Sequence, residues 1–163
     1  MISAVLGDIT TMPTQAIVNS ANPSLLAGGG VCGAIHRTAG PRLEAACRLL
    51  GKTEPGQAVV TPAFNLPAQY VIHAVAPRYL DGTRNEAETL RQAYVSICKI
   101  VSELQITDLT LPSLGTGIYM FPLELAAKIA CKTLQEQLPT GCAATFVCFE
   151  IETLAAYELA IDG

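Results

Sequence analysis

The stretch NPSLLAGGGVCGAIHRTAG, Asn22 to Gly40, joins a short apolar run, QAIVN (15–19), to a segment patterned as a helix over residues 31–39. Three consecutive glycines, Gly28 to Gly30, stand at the helix entry. Lacking Cβ atoms, they admit positive φ and let several backbone N–H groups point at one oxygen cluster. A helix that starts at Val31 adds the positive end of its dipole. Strand, glycine loop and helix together form the repeating unit of an α/β fold, and the same alternation continues on both sides.

Upstream, ISAVL (2–6) reads as a strand. Downstream, PRLEAACRLLG (41–51) reads as a helix with Pro at its first position and Gly at its end. GQAVVTPAF (56–64) and QYVIHAV (69–75) are rich in β-branched and aromatic residues and read as strands. Leu90, Ala93, Tyr94, Ile97, Ile100, Val101 and Leu104 follow a helical period over 85–104, and Asn85 with Glu88 predicts a capping box. Strands at 107–114 and 144–150 and helices at 122–138 and 152–161 complete the pattern. No internal repeat, low-complexity tract or linker interrupts it, so residues 1–163 are expected to form one domain. The alternation implies an α/β sandwich with helices on both sheet faces, and ligands in such folds gather beyond the carboxyl ends of the strands.

Half of the residues are hydrophobic and 15% are charged, enough for a sizeable core. A net charge of −4 argues against a nucleic-acid partner, which needs a dense Lys/Arg surface. The N-terminus lacks the basic and apolar regions of a signal peptide, and no apolar run reaches the roughly 18 residues of a membrane span. A cytoplasmic protein without a membrane partner is expected. The six cysteines, 32, 47, 98, 131, 142 and 148, form no C-x-x-C pair, and Cys98, Cys131 and Cys148 read as buried small hydrophobes. The spacing of Cys32, His36 and Cys47 is not that of a zinc site, and neither metal nor cofactor is expected.

Three strand-to-helix junctions are rich in glycine or polar residues: Gly7–Thr10; Asn19–Asn22 with Gly28–Gly30; and Ser113–Gly117. Two glycine loops facing each other suit a pyrophosphate. An Asp at a loop edge accepts from an amino group or a sugar hydroxyl, and Asn22 offers both donor and acceptor to a ribose diol. Taken singly, the glycine runs also read as tight turns, Asp8 as a turn residue and Asn22 before Pro23 as a turn initiator. Neither loop is a P-loop or a G-x-G-x-x-G fingerprint.

Read in order, GDIT, AIVNSANPSL, GGGVCGAIHRTAGP, GTGIYMFP and VCFEIETLAAYE resemble a macrodomain of the MacroD type, the branch that includes bacterial O-acetyl-ADP-ribose deacetylases. The resemblance spans nearly the whole chain. It implies a three-layer α/β/α sandwich with a mixed central sheet, and a cleft for ADP-ribose or O-acetyl-ADP-ribose, free or on ADP-ribosylated proteins. By resemblance, Asp8 with Ile9 beside it meets the adenine amino group, and Phe149 stacks near adenine. Asn22 meets the distal ribose, with Phe121 bordering it. Gly29, Gly30 and Val31 form the first phosphate loop, and Gly115, Thr116, Gly117, Ile118 and Tyr119 the second. Core packing is the plain alternative for Phe121 and Phe149.

One position departs from the pattern. Active members of the branch read GGGGVDGAIH where this chain reads AGGGVCGAIH, so Cys32 occupies the position of the family's catalytic aspartate. Ala27 replaces the first glycine, and Met120 a frequent glycine of the second loop. Three readings of Cys32 stand side by side: an inert thiol in a non-catalytic reader; a substitute base or nucleophile assisted by the helix N-terminus and His36; or a redox or metal role, or hydrolysis aided mainly by the ligand's phosphates and other groups. The catalytic candidates are accordingly Asn22, Cys32 and His36. His36 also reads as an interior hydrogen-bonding residue, and His73, inside YVIHAV, as a structural one.

Overall fold

A computed structural model describes residues 1–163. In chain order the elements are β1 (Ile2–Leu6), a 3-10 turn (Ile9–Thr11), β2 (Ala16–Ala21), α1 (Gly30–Ala39), α2 (Pro41–Leu50), β3 (Ala58–Pro62), β4 (Tyr70–Val75), α3 (Glu86–Glu103), β5 (Asp108–Leu111), α4 (Leu123–Gln137), β6 (Ala143–Cys148) and α5 (Ile151–Asp162). Each element named from the sequence is present, with ends displaced by a few residues. The strand expected over 107–114 stops at Leu111, because Pro112 has no N–H to give the ladder. The one expected over 144–150 stops at Cys148, which frees Phe149 from the sheet.

The six strands form one mixed sheet in the order β1-β6-β5-β2-β4-β3. Only the β3–β4 pair is antiparallel; β1, β6, β5, β2 and β4 all run the same way. The central strands bury both faces. In β2, Ala16 and Val18 point into the core beneath α3, α4 and α5, while Ile17 and Ala21 point into the core beneath α1 and α2. β4 alternates likewise, Ile72 and Ala74 against Val71 and Val75. The result is the three-layer α/β/α sandwich that the resemblance implied. No helix is long and apolar enough to cross a membrane.

α2 begins with Pro41 and ends at Gly51, as the sequence predicts. The capping box of α3 does not form. Asn85 has left-handed backbone (φ 61°) and caps nothing, and Glu88 pairs instead with Arg91 and Gln92. The neighbouring Glu86 takes over: its buried carboxylate accepts from the N–H groups of Leu80, Asp81, Gly82 and Arg84. Burial raises this carboxyl, but the backbone donors outweigh it and hold it at about 2. Glu86 thereby fixes the β4–α3 loop beside the site.

Candidate functional site

Because β1, β2 and β5 are parallel in one sheet, the three polar junctions after them open at the same edge. At the first, Asp8 caps the 3-10 turn: its Oδ1 accepts from the Thr10 N–H at 2.9 Å and the Thr10 hydroxyl at 2.7 Å. No protein donor bonds Oδ2, which remains available to a ligand. Ile9, by contrast, is packed into the core beneath α1, so only its main chain could reach a ligand.

At the second junction, Asn22 braces its own loop. Its Nδ2 donates to the Leu26 carbonyl at 2.9 Å, and its Oδ1 accepts from the Ser24 hydroxyl. Gly30 takes φ +56° where the loop turns into α1, a conformation that side chains resist. No side chain caps α1, which leaves its first-turn N–H groups and positive dipole end to the cleft.

The third junction is held from below. The fully buried Tyr157 donates its hydroxyl to Ser113 Oγ at 2.9 Å, and Ser113 Oγ lies 2.8 Å from Thr116 Oγ1. Gly115 has φ +81°, and a Cβ there would lie 3.3 Å from that of Ala76 and 3.5 Å from that of Phe121. The loop therefore lies flat against the end of β4. Tyr79 clamps it from the other side, its N–H donating to the Tyr119 carbonyl at 2.8 Å.

Two adjoining cavities result, sharing Gly30, Val31, Ser113 and Gly117. The smaller, about 220 Å³, is walled by Asn22, Gly28, Gly29, Cys32, Ile118 and Tyr119. The larger, about 740 Å³, carries Asp8, Thr116 and Phe149, the last 55% exposed. The two glycine loops thus face each other across the waist of one cleft. Arg37 is its only cationic side chain, against Asp8, Glu150 and Glu152, so attraction for an anion falls to the backbone donors. Sequence reasoning did not single out Arg37, although a cation about two turns along the glycine-opened helix was visible. It also did not foresee Tyr157, whose role depends on α5 packing across β1 and β6 so that its hydroxyl reaches Ser113 beyond the end of β5.

Two expected site residues sit elsewhere. Phe121 is 2% exposed and packs edge-on against Tyr79 with ring centroids 4.9 Å apart, in the core and outside both cavities. Tyr119 occupies the wall instead. His36 lines neither cavity of the cleft but a separate hollow behind the loop, with Arg37 and Glu44. No hydrogen bond joins it to Cys32, so the Cys–His pair is not formed. Its Nε2 is buried without a partner, and desolvation lowers its pKa against the opposing pull of Glu44.

Cys32 donates weakly to the Leu26 carbonyl at 3.6 Å and receives Asn19 Nδ2 at 3.7 Å. Asn19 Nδ2 also lies 3.1 Å from His73 Nδ1, whose Nε2 lies 3.0 Å from the Thr61 hydroxyl. Thr61 in turn donates to the Pro62 carbonyl. One tautomer satisfies this chain, a neutral His73 carrying its proton on Nε2. Burial lowers the His73 pKa to about 3, helped by the nearby His36, which keeps the ring neutral. No base lies within hydrogen-bond reach of the Cys32 thiol. All six cysteines are free and buried, and no His, Cys, Asp or Glu cluster is arranged to hold a metal ion.

The profile of the Macro domain family matches residues 18–130, which include both glycine loops. The chain belongs to the Macro domain family. An O-acetyl-ADP-ribose deacetylase of Enterobacter cloacae is 45% identical, over 96% of this chain and 91% of its own length. A Macro domain-containing protein of Lactiplantibacillus plantarum is also 45% identical, over 98% and 95%. Among solved structures, a glycine-to-valine variant of the Oceanobacillus iheyensis macrodomain with ADPR superposes with a TM-score of 0.93 at 33% identity, over 98% of this chain and 90% of that one. The Trypanosoma brucei macrodomain in complex with ADP-ribose gives 0.87 at 34%, over 97% and 68%. This macrodomain therefore shares its fold with macrodomains solved with ADP-ribose.

Proposed function

We propose that this macrodomain binds ADP-ribose and ADP-ribosyl groups along the cleft. The observation that carries the reading is the pair of facing glycine loops between the larger cavity, which carries Asp8 and Phe149, and the smaller one, which carries Asn22 and Cys32. Asp8 Oδ2 accepts from the adenine amino group, and Phe149 lies against the base. The N–H groups around Gly29–Val31 and Gly115–Ile118 hold the pyrophosphate, and Asn22, Tyr119 and Cys32 surround the distal ribose. The relatives solved with ADP-ribose support this assignment. A thermal-shift series tests it: ADP-ribose raises Tm by mass action, and a Tm unmoved by a large ligand excess removes the reading.

With its thiol reduced, the chain acts chiefly as a reader of ADP-ribose or of ADP-ribosylated partners. The support is the absence of any base beside Cys32. A positioned general base contributes roughly 10²–10⁴ in rate. The relatives named O-acetyl-ADP-ribose deacetylase favour a second reading, hydrolysis of O-acetyl-ADP-ribose or of ADP-ribosyl-carboxylate esters by the same cleft. Acetate release by the reduced protein separates the two: turnover comparable with that of those relatives selects the enzyme.

A further inference from the structure

The mouth of the smaller cavity differs from the rest of the cleft. Its lining carries no charged side chain, and the acids Asp8, Glu150 and Glu152 all belong to the larger cavity. Large apolar side chains stand in solvent beside it instead. Ile118, in its wall, is 84% exposed, and Met120, two residues on, is 72% exposed. Met120 has left-handed backbone, φ 63°, which glycine would adopt without strain, and its N–H donates to the Gly117 carbonyl at 3.0 Å. The turn thus holds out an unbranched thioether, a side chain that adapts to varied surfaces. The β4–α3 loop adds to this rim. The Tyr79 N–H donates to the Tyr119 carbonyl, which ties the two loops together. Leu80, next along, is 62% exposed while the Glu86 carboxylate fixes its N–H. Arg78 stacks over the Tyr119 ring, 5.2 Å from the centroid, and makes no ion pair.

We infer that this rim is a docking surface for the polypeptide that carries an ADP-ribosyl group, and that it selects acidic segments with an apolar side chain near the modified residue. The inference rests on the reading that the smaller cavity holds the distal ribose, because the bond from ADP-ribose to a protein leaves from that sugar. A polypeptide attached there has to cross the rim. Exposed apolar groups edged by polar ones mark contacts with other proteins, and Tyr, Met and Arg are residues that interfaces favour. Free ADP-ribose ends at the distal ribose and leaves Met120 and Leu80 in water. Arg78 sets the charge of the partner. Its guanidinium is already oriented by stacking, so a carboxylate gains a charge-assisted, two-pronged contact at little cost in side-chain order. Arg84, on the same loop, is taken by Asp81. A polynucleotide fits less well, since a phosphate backbone needs many cations and the rim offers one without a partner.

Calorimetry with three ligands tests this. The first is free ADP-ribose. The second is a peptide with aspartate and leucine residues flanking a glutamine ADP-ribosylated on its amide nitrogen, a linkage with no ester to lose. The third is the same peptide with lysine for each aspartate. The acidic peptide should bind at least about tenfold tighter than free ADP-ribose, and the lysine peptide should lose that advantage. Arg78→Glu should reverse the order of the two peptides. Leu80→Ser with Met120→Gly should bring the acidic peptide to the level of free ADP-ribose, whose own affinity stays within about twofold. Glycine suits the backbone at position 120, so this variant should keep the parental Tm. An acidic peptide bound no tighter than free ADP-ribose overturns the docking surface, and so does an advantage that survives both variants. A lysine peptide that keeps the advantage overturns the acidic preference. Free ADP-ribose separates these failures from that of the cleft: if it binds the parent, the cleft reading stands whatever the peptides do, and if it does not, that reading falls and the docking surface with it.

Discussion

Asp8→Asn divides two roles that the structure assigns to one carboxylate. Oδ1 is committed to the turn, accepting from the Thr10 N–H and hydroxyl, while Oδ2 has no protein donor. The asparagine keeps an oxygen on Thr10, since its NH₂ cannot accept those hydrogen bonds, and so presents a donor where Oδ2 was. Asn and Asp cap about equally well, so stability should change by less than about 0.5 kcal/mol. Binding loses a charge-assisted hydrogen bond worth about 1.5–3 kcal/mol, or roughly 10- to 150-fold in Kd. Asp8→Ala removes both functions. It should lose the same affinity and also about 0.5–2 kcal/mol of capping energy, a Tm drop of a few degrees for a chain of this size. Calorimetry with ADP-ribose and thermal melts on both variants supply the readouts. Parental affinity in Asp8→Asn would show that the carboxylate serves only the turn and would refute the adenine assignment.

Gly117→Glu should abolish ADP-ribose binding with Tm nearly unchanged. Open space surrounds its Cβ position, and a carboxylate about 4 Å from a phosphate costs about 4 kcal/mol at an effective dielectric of about 20; retained affinity by calorimetry would make the second loop a mere turn. Tyr157→Phe should weaken ADP-ribose binding by about 0.5–1.5 kcal/mol, because Ser113 and Thr116 lose their anchor; a change in Tm with affinity intact would confine Tyr157 to the core. Glu86, held at about 2 in the fold against an ordinary 4.5, stabilises the fold fully above pH 4.5 and loses that contribution as pH falls towards 2. Urea midpoints between those pH values should show a shallower slope for Glu86→Gln than for the parent, and equal slopes would contradict the clamp.

The periodicity of Leu90 to Leu104 made α3 legible to within a residue or two, since its apolar face packs against the sheet as a regular stripe. The cap of α3 was not legible. Asn85 and Glu88 have the right spacing, but the decisive acceptor is Glu86, and its donors lie in a loop whose path depends on the end of β4. Strand order was likewise hidden, because nothing in ISAVL indicates that β1 pairs with β6 at the far end of the chain. The glycine loops were readable as anion cradles, but their meeting across one cleft follows from β2 and β5 being sheet neighbours. Phe121 and His36 illustrate the limit. Motif position put Phe121 beside the distal ribose and helical spacing put His36 beside Cys32, whereas packing against Tyr79 draws the first into the core and the turn of α1 sends the second to the back of the loop.

Isothermal titration of the reduced protein with ADP-ribose and, in parallel, with ADP tests the central claim most directly, because ADP keeps the adenosine and pyrophosphate but ends in a free terminal phosphate where ADP-ribose carries the distal ribose. The account predicts one site per chain and micromolar ADP-ribose binding at least about tenfold tighter than that of ADP, or about 1.4 kcal/mol, from the contacts of Asn22, Tyr119 and the small cavity. Equal affinities would contradict the assignment of that cavity to the second sugar, and absence of heat with both ligands would contradict the cleft itself.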